Sequence, residues 1–208
     1  MVNKINKPLK KINQRAWQRM LSGRKLDILS PSPFDIEIED IALGLSRVTR
    51  WNGQTVGKHP YSVAQHSVLV EEFFNNEYPY LNKKWNLAAL LHDAPEYVIG
   101  DLITPFKYAL GGIYQDIEHR LDLAVSIRFG LPPQLPDTVQ RTIKRADRMA
   151  AWIEATQIAG FSHVEAAKIF IKPSGTPSHI QLRIQPPADA ANTFLRRFAI
   201  LGGQKKHK

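Results

Sequence analysis

Apolar residues recur at intervals of three and four along most of this chain, and this helical spacing constrains its fold more than any other feature of the sequence. The longest helical patterns are VAQHSVLVEEFF, YQDIEHRLDLAVSIRFG, PDTVQRTIKRADRMAAWIEATQIAG and ADAANTFLRRFAIL. Shorter helices are expected over Ala16–Leu21, after Asp40, from about Lys83 to Ala94 and around VEAAKIF. These patterns predict an all-α fold with only minor irregular or short β decoration.

Local signals indicate where several of these helices begin and end. Ser62 has the side chain of an N-cap, and Pro95 should end or kink the helix that precedes it. Gly130 and Gly160 are typical of the position that follows a helix. The segment IQLRI alternates in the way a short strand does, whereas WNGQTVGKHPY has the composition of a loop.

Composition narrows the class of protein and the kind of metal site. The 208 residues are 43% hydrophobic and contain no cysteine, which excludes disulfides and thiolate metal ligands. No apolar run approaches the ~18 residues of a membrane span, and no apolar stretch follows the basic N-terminus as in a secretory signal. We expect a single-domain cytoplasmic protein in which any metal is held by histidine, aspartate or glutamate.

The net charge of +9 belongs to the two ends of the chain. Eight of the 28 basic residues precede Asp27 and five follow Asp189, with no acidic residue in either segment, so the remaining fifteen are outnumbered by 19 acidic residues. We therefore expect a basic N-terminal arm at 1–26, a domain at 27–201 and a basic tail at 202–208. Solubilising, partly disordered ends account for this pattern better than a nucleic-acid surface does.

Four side chains of metal-ligand type lie on apolar helical faces. His66 shares the face of Val63 and Val70, and His92 and Asp147 also fall in apolar stripes. Asp93 is only ~100° around the helix from His92, so both could reach one point.

Each of these residues also has a structural interpretation. A single inward histidine is more often a hydrogen-bonded core residue than a ligand, and Asp147 could pair with Arg145 or Arg148. Taken together, however, several buried polar groups would each need a partner, whereas one divalent cation would satisfy all of them. Two histidines and two carboxylates suit Mn²⁺, Fe²⁺, Co²⁺, Ni²⁺ or Zn²⁺. His119 should be exposed, and His59 could approach the site as an outer partner.

The order of these residues, H…HD…D, resembles that of the HD-domain metal-dependent phosphohydrolases. Longer segments are similar to the bacterial 5′-deoxynucleotidase subgroup, from about Ile38 to Ile158. They are the dipeptide Arg50-Trp51 and the segments YSVAQHS, LLHDAPEYVIGDLITPFK and KRADRMAAWIEA.

The resemblance implies a single-domain, HD-type helical bundle that uses one divalent metal ion. It implies that the metal ligands are His66, His92, Asp93 and Asp147. It further implies that Glu96 transfers a proton, that Arg50 contacts the phosphate, that Trp51 contacts the nucleoside and that Asp101 recognises the sugar.

Residue chemistry agrees with these implied roles but leaves alternatives. A divalent metal activates water and polarises a phosphoryl oxygen, which suits hydrolysis of a phosphate ester. Arg50 and Lys107 are the cations expected near that phosphate, although Lys107 could equally be solvated at the surface. Trp51 could belong to the core, and Glu96 could be an exposed residue at a helix end.

The expected function is that of a metal-dependent phosphohydrolase, specifically a nucleotidase that releases phosphate from (deoxy)ribonucleoside 5′-monophosphates. Its partner would be a small-molecule nucleotide, not nucleic acid or a membrane, and homodimer formation is left open. One alternative is a dNTP or guanosine polyphosphate hydrolase of the same superfamily. Another is a non-catalytic nucleic-acid-binding or scaffolding protein that uses its basic ends.

Overall fold

The computed structural model describes residues 16–80, 82–170, 174–177 and 180–202, and within them the fold is all-α as predicted. The helices are α1 (Ile38–Leu45), α2 (Val63–Glu77), α3 (Lys83–Leu90), α4 (Glu96–Ile99), α5 (Thr104–Leu110), α6 (Gly112–Arg128), α7 (Asp137–Gln157), α8 (His163–Ile169) and α9 (Pro187–Ile200). No helix in these ranges is long and apolar enough to cross a membrane.

Helix α2 is the centre of the bundle, with α3, α7 and α9 packed around it. Its first turn is capped as predicted, because the Ser62 side chain accepts a hydrogen bond from the backbone N–H of Gln65. Apolar side chains such as Val70 and Phe74 are fully buried on the face that also carries His66. The helical pattern of the sequence therefore places a histidine within the core.

The expected helix from Lys83 to Ala94 is wrong at its C-terminal end. Helix α3 stops at Leu90, and a turn leads to Pro95, which is the N-cap residue directly before α4 and does not end α3. Proline is well suited to a helix start because the first backbone N–H groups of a helix have no intrahelical partner. The break places His92 and Asp93 in a turn between two helices.

A β-hairpin replaces the helix that was expected over Ala16–Leu21. Strand β1 (Trp17–Arg19) pairs antiparallel with β2 (Lys25–Asp27), and Gly23 at the turn has a φ of 99°. Leu26 is fully buried, whereas Leu21 is 82% exposed, so the apolar residues here do not share one helical face.

The strand expected at IQLRI is also wrong, since residues 180–184 are irregular. Glutamine side chains form the backbone hydrogen bonds of this segment that a neighbouring strand would otherwise form. Gln157 donates to the Ile180 carbonyl and accepts from the Leu182 N–H, and Gln65 donates to the Arg183 carbonyl. These contacts hold the segment against α2 and α7.

The division into an arm at 1–26, a domain at 27–201 and a tail at 202–208 stays a prediction. Residues 1–15 and 203–208 lie outside the described residues, whereas residues 16–26 include most of the hairpin. The hairpin is joined to α1, because the Ser22 backbone N–H donates to Asp40 at 3.0 Å.

Candidate metal centre and active site

The structure brings the four predicted ligand residues together from three parts of the chain. His66 lies on α2, His92 and Asp93 lie in the α3–α4 turn, and Asp147 lies on α7. His66 Nε2 is 3.2 Å from Asp147 Oδ1 and 3.5 Å from Asp93 Oδ2, and His92 Nε2 is 3.2 Å from the same Asp93 oxygen. Ligand atoms of His66, His92 and Asp147 all lie within 4.8 Å of one another.

The hydrogen bonds of the two histidines show that this cluster fits a cation. His66 Nδ1 is 2.6 Å from Glu154 Oε1, and His92 Nδ1 is 2.9 Å from the Ala89 carbonyl oxygen, so both Nδ1 atoms act as donors. Each Nε2 atom is buried and makes no hydrogen bond, despite its short distances to carboxylate oxygens. Two lone pairs and two carboxylates facing one point repel each other unless a positive charge lies between them.

The electrostatics of the centre also favour positive charge. Burial and the Arg50 charge lower the pKa of His66, but the Glu154 and Asp147 carboxylates together raise it overall, to about 10. Burial raises the pKa of Asp93, yet His92 and His66 hold it well below its usual range. Without a cation, the centre therefore keeps a proton on His66 at neutral pH.

Glu154 is the site residue that the sequence interpretation missed. It is fully buried on α7 and lies seven residues after Asp147, which is two helical turns along the same face. This seven-residue spacing is the feature of the sequence that could have identified Glu154 as part of the site. Its carboxylate orients His66 through Oε1, and its Oε2 accepts hydrogen bonds from Arg50 and from Trp51 Nε1. One side chain thus joins the metal centre to the predicted substrate-binding residues.

Arg50 is held between two carboxylates at the edge of the centre. Its Nε and Nη2 atoms are each 3.3 Å from Glu154 Oε2, and its Nη1 atom is 3.1 Å from Asp101 Oδ2. The side chains of Arg50 and Asp101 are 15% and 12% exposed, respectively. Arg50 and Asp101, two of the predicted substrate-binding residues, therefore lie beside the cluster, and part of each side chain remains accessible.

Trp51 makes the contacts of a packed residue. Its indole donates to Glu154 at 3.0 Å, and its ring lies 5.8 Å from the ring of Phe161 and 5.6 Å from that of Phe170. Trp51 and Asn52 adopt left-handed backbone conformations with φ values of 57° and 49°. Non-glycine residues with such φ values concentrate at functional sites, where the surrounding contacts stabilise them.

Glu96 is buried in the first turn of α4, which excludes the interpretation of an exposed helix end. Its Oε2 atom has no hydrogen-bond partner, and its Oε1 atom is 3.7 Å from Lys107 Nζ. Burial, together with the negative charges of Asp93 and Asp101, raises the pKa of Glu96 to about 9. Lys107 also pairs with Glu118 at 3.2 Å, so it is not simply solvated.

The family model of the 5′-deoxynucleotidase YfbR-like proteins matches residues 43–165, which contain all four side chains of this centre. The chain belongs to this family. It is 55% identical over 189 residues to an uncharacterised protein of Rhodobacter capsulatus, covering 90% of this chain and 96% of that protein. It is 29% identical over 174 residues to the uncharacterised protein YfdR of Escherichia coli, covering 83% of this chain and 88% of that protein.

Membership of the YfbR-like family confirms the HD-domain resemblance and the enzyme class. The protein is a metal-dependent nucleotide phosphohydrolase with a helical HD-type fold. Its substrate is therefore a small nucleotide, and the histidine–aspartate cluster could bind the metal.

Proposed function

We propose that this YfbR-like protein releases phosphate from deoxyribonucleoside 5′-monophosphates, using one divalent cation bound by His66, His92, Asp93 and Asp147. The observation that carries the proposal is the pair of buried histidine Nε2 atoms, which make no hydrogen bond and face two carboxylates. Nitrogen and carboxylate donors suit Mn²⁺, Fe²⁺, Co²⁺, Ni²⁺ or Zn²⁺.

A divalent cation there would polarise a phosphoryl oxygen and acidify water, which is what hydrolysis of a phosphate monoester needs. Glu154 positions His66, because a carboxylate that accepts the Nδ1–H fixes both the tautomer and the ring orientation. Glu96 carries the proton, since its Oε2 atom is buried, unpaired and one helical turn from Asp93.

Arg50 is the proposed phosphate ligand. Its hydrogen bonds to Glu154 and Asp101 use three of its five N–H groups, which leaves one donor on each terminal nitrogen for a phosphate oxygen. The same bonds fix the guanidinium plane before substrate arrives. Asp101 is bonded to Arg50 through Oδ2, and we assign its other oxygen to the sugar.

The test is to incubate purified protein with nucleoside mono-, di- and triphosphates and with a guanosine polyphosphate, and to measure phosphate, pyrophosphate and tripolyphosphate separately. Each substrate is tested with each candidate metal. We expect phosphate release from deoxyribonucleoside 5′-monophosphates, with slower release from the ribonucleotides. Asp93→Ala and Asp147→Ala should lose bound metal in elemental analysis together with activity, because each removes a charged ligand.

Two results would contradict this proposal. Release of pyrophosphate or tripolyphosphate would identify the alternative activity on guanosine polyphosphates or dNTPs. Wild-type metal content in both ligand variants would remove these residues from the metal centre. Asp116→Ala is a matched control, since Asp116 is an exposed aspartate of α6.

A further inference from the structure

A cavity of about 840 Å³ opens beside the metal centre, between α3, α6, α7 and the connection that precedes α7. Two of the proposed ligands, His92 and Asp147, form part of its wall. Its volume is in the range of small-molecule binding sites. A nucleotide whose phosphate reaches the cation can therefore extend its nucleoside into this cavity.

The cavity is better suited to the nucleoside than the surroundings of Trp51 are. The indole of Trp51 already packs against Phe161 and Phe170, and its N–H is bonded to Glu154. The cavity instead combines apolar walls, from side chains such as Leu91 and Leu131, with polar side chains. The polar side chains include His119, Asp122, Gln134, Gln140 and Lys144. Small-molecule sites combine apolar walls with polar groups that fix the orientation of the ligand, so this cavity can hold a base.

Asp122 differs from the other polar residues of this wall. It is half-buried on α6, and within the described part of the chain its carboxylate has no hydrogen-bond or ion-pair partner. Burial raises its pKa, whereas the nearby His119 lowers it. A partly desolvated carboxylate gains most from a ligand that donates hydrogen bonds, because it has already lost part of its hydration.

We propose that Asp122 reads the base of the substrate by accepting a hydrogen bond from an exocyclic amino group. Cytosine and adenine offer such a group, whereas uracil and hypoxanthine have a carbonyl oxygen in its place. That oxygen would face the carboxylate without a hydrogen bond between them. Aspartate accepts from the cytosine amino group in the same way when proteins read DNA. This inference rests on the proposed nucleotidase function and adds a base preference to it.

Matched substrates test the assignment, because dCMP and dUMP differ only in this group and in the hydrogen that uracil carries on the neighbouring N3. We expect the wild-type protein, loaded with metal, to hydrolyse dCMP with a kcat/KM about 10-fold above that for dUMP. The kcat/KM for dAMP should likewise exceed that for dIMP. Asp122→Ala and Asp122→Asn should bring the dCMP/dUMP ratio close to one, since asparagine can donate to the carbonyl as well as accept from the amino group.

Asp116→Asn is the matched control, because it changes an exposed aspartate of α6 that does not line the cavity. It should keep the wild-type ratio. Circular dichroism and metal content establish that each variant is folded and loaded. Equal wild-type rates on dCMP and dUMP, or an unchanged ratio in Asp122→Asn, would overturn the role of Asp122.

Deoxyribose 5-phosphate separates this inference from the proposed function, because it has the phosphate and sugar but no base. If the wild-type protein hydrolyses it and all nucleotides without regard to the amino group, the nucleotidase proposal stands and the Asp122 proposal fails. If no substrate releases phosphate with any metal, both proposals fail.

Discussion

Two buried glutamates near the metal centre have different surroundings and should have different roles. Glu154 uses both carboxylate oxygens, one on His66 and the other on Arg50 and Trp51. Glu96 leaves Oε2 without a hydrogen bond. A carboxylate with all its acceptors occupied holds other groups in place, whereas one with a free oxygen can take up or release a proton.

Glu96→Gln should therefore keep the fold and the metal but lower kcat by roughly 10²- to 10⁴-fold, as is typical when a general acid or base is removed. Glutamine preserves the size of the side chain but cannot exchange the proton. Steady-state kinetics together with elemental analysis of the purified variant measure both effects.

The corresponding substitution at Glu154 should weaken metal binding, whereas Glu96→Gln should not. Glu154→Gln weakens the orientation of His66, so metal affinity should fall about 10- to 100-fold, the usual cost of losing such a partner. Full activity in Glu96→Gln would exclude it as the proton carrier. Loss of metal in Glu96→Gln would instead make it a ligand.

The sequence indicated the proposed ligands more readily than it indicated Glu154, the hydrogen-bond partner of His66. His66, His92 and Asp147 interrupt apolar faces, and an inward polar residue on such a face needs an explanation. Glu154 follows the same rule, but its importance depends on a contact with His66 across 88 positions of the chain. Helical periodicity predicts which face of a helix a residue lies on, but not which residue of a neighbouring helix it contacts. The pairing of Glu154 with His66 could therefore be seen only in the structure.

At the level of elements, the break between α3 and α4 determines the shape of the site. Apolar spacing predicted one helix through Ala94, but the chain turns after Leu90 and presents His92 and Asp93 on the same side. In a continuous helix these neighbours would point ~100° apart. Periodicity could not show this break, because Leu91 and Ala94 remain buried in the turn as they would in a helix.

A buried ion pair connects α9 to α2 at the back of the bundle. Glu71 of α2 is fully buried and pairs with Arg197 of α9, whose Nη2 atom is 3.0 Å from Glu71 Oε1. Asn86 of α3 donates to the same oxygen at 2.9 Å. Three helices thus depend on one carboxylate.

Arg197→Met should destabilise the protein strongly, because it leaves the Glu71 charge buried with Asn86 as its remaining hydrogen-bond partner among the residues that the structure describes. Removing one member of a buried ion pair costs about 3–5 kcal/mol, and the part exposure of Arg197 puts the expected loss near the lower figure. At about 2–4 °C per kcal/mol for a chain of this size, the Tm should fall by roughly 6–12 °C.

Urea and thermal unfolding followed by circular dichroism measure this loss. Arg196→Met is the control, since Arg196 is an exposed residue of the same helix that donates a hydrogen bond to the Thr193 hydroxyl at 3.3 Å. We expect a change within about 0.5 kcal/mol for this exposed site. Equal stability of the two variants would show that the Glu71 pair contributes little.

For the whole molecule, the metal centre joins segments that are distant in the sequence. Its proposed ligands come from α2, from the α3–α4 turn and from α7, and α2 and α7 pack directly against each other. A cation bound by all of them would bind the folded chain and not the unfolded one. Metal binding should therefore stabilise the entire bundle and not a single loop.

Adding a preferred divalent cation to metal-free protein at ~100 times its Kd should stabilise the fold by about 2.7 kcal/mol, which corresponds to a rise in Tm of roughly 5–10 °C. At a fixed metal concentration, the rise should grow with pH. His66 in the metal-free centre keeps its proton up to a pKa of about 10, so a cation has to displace that proton, and displacement becomes easier as the proton concentration falls. Differential scanning calorimetry with and without metal between pH 6 and pH 8 measures the effect. Asp93→Ala should abolish the rise at every pH, and a rise that stayed the same from pH 6 to pH 8 would show that binding does not displace the His66 proton.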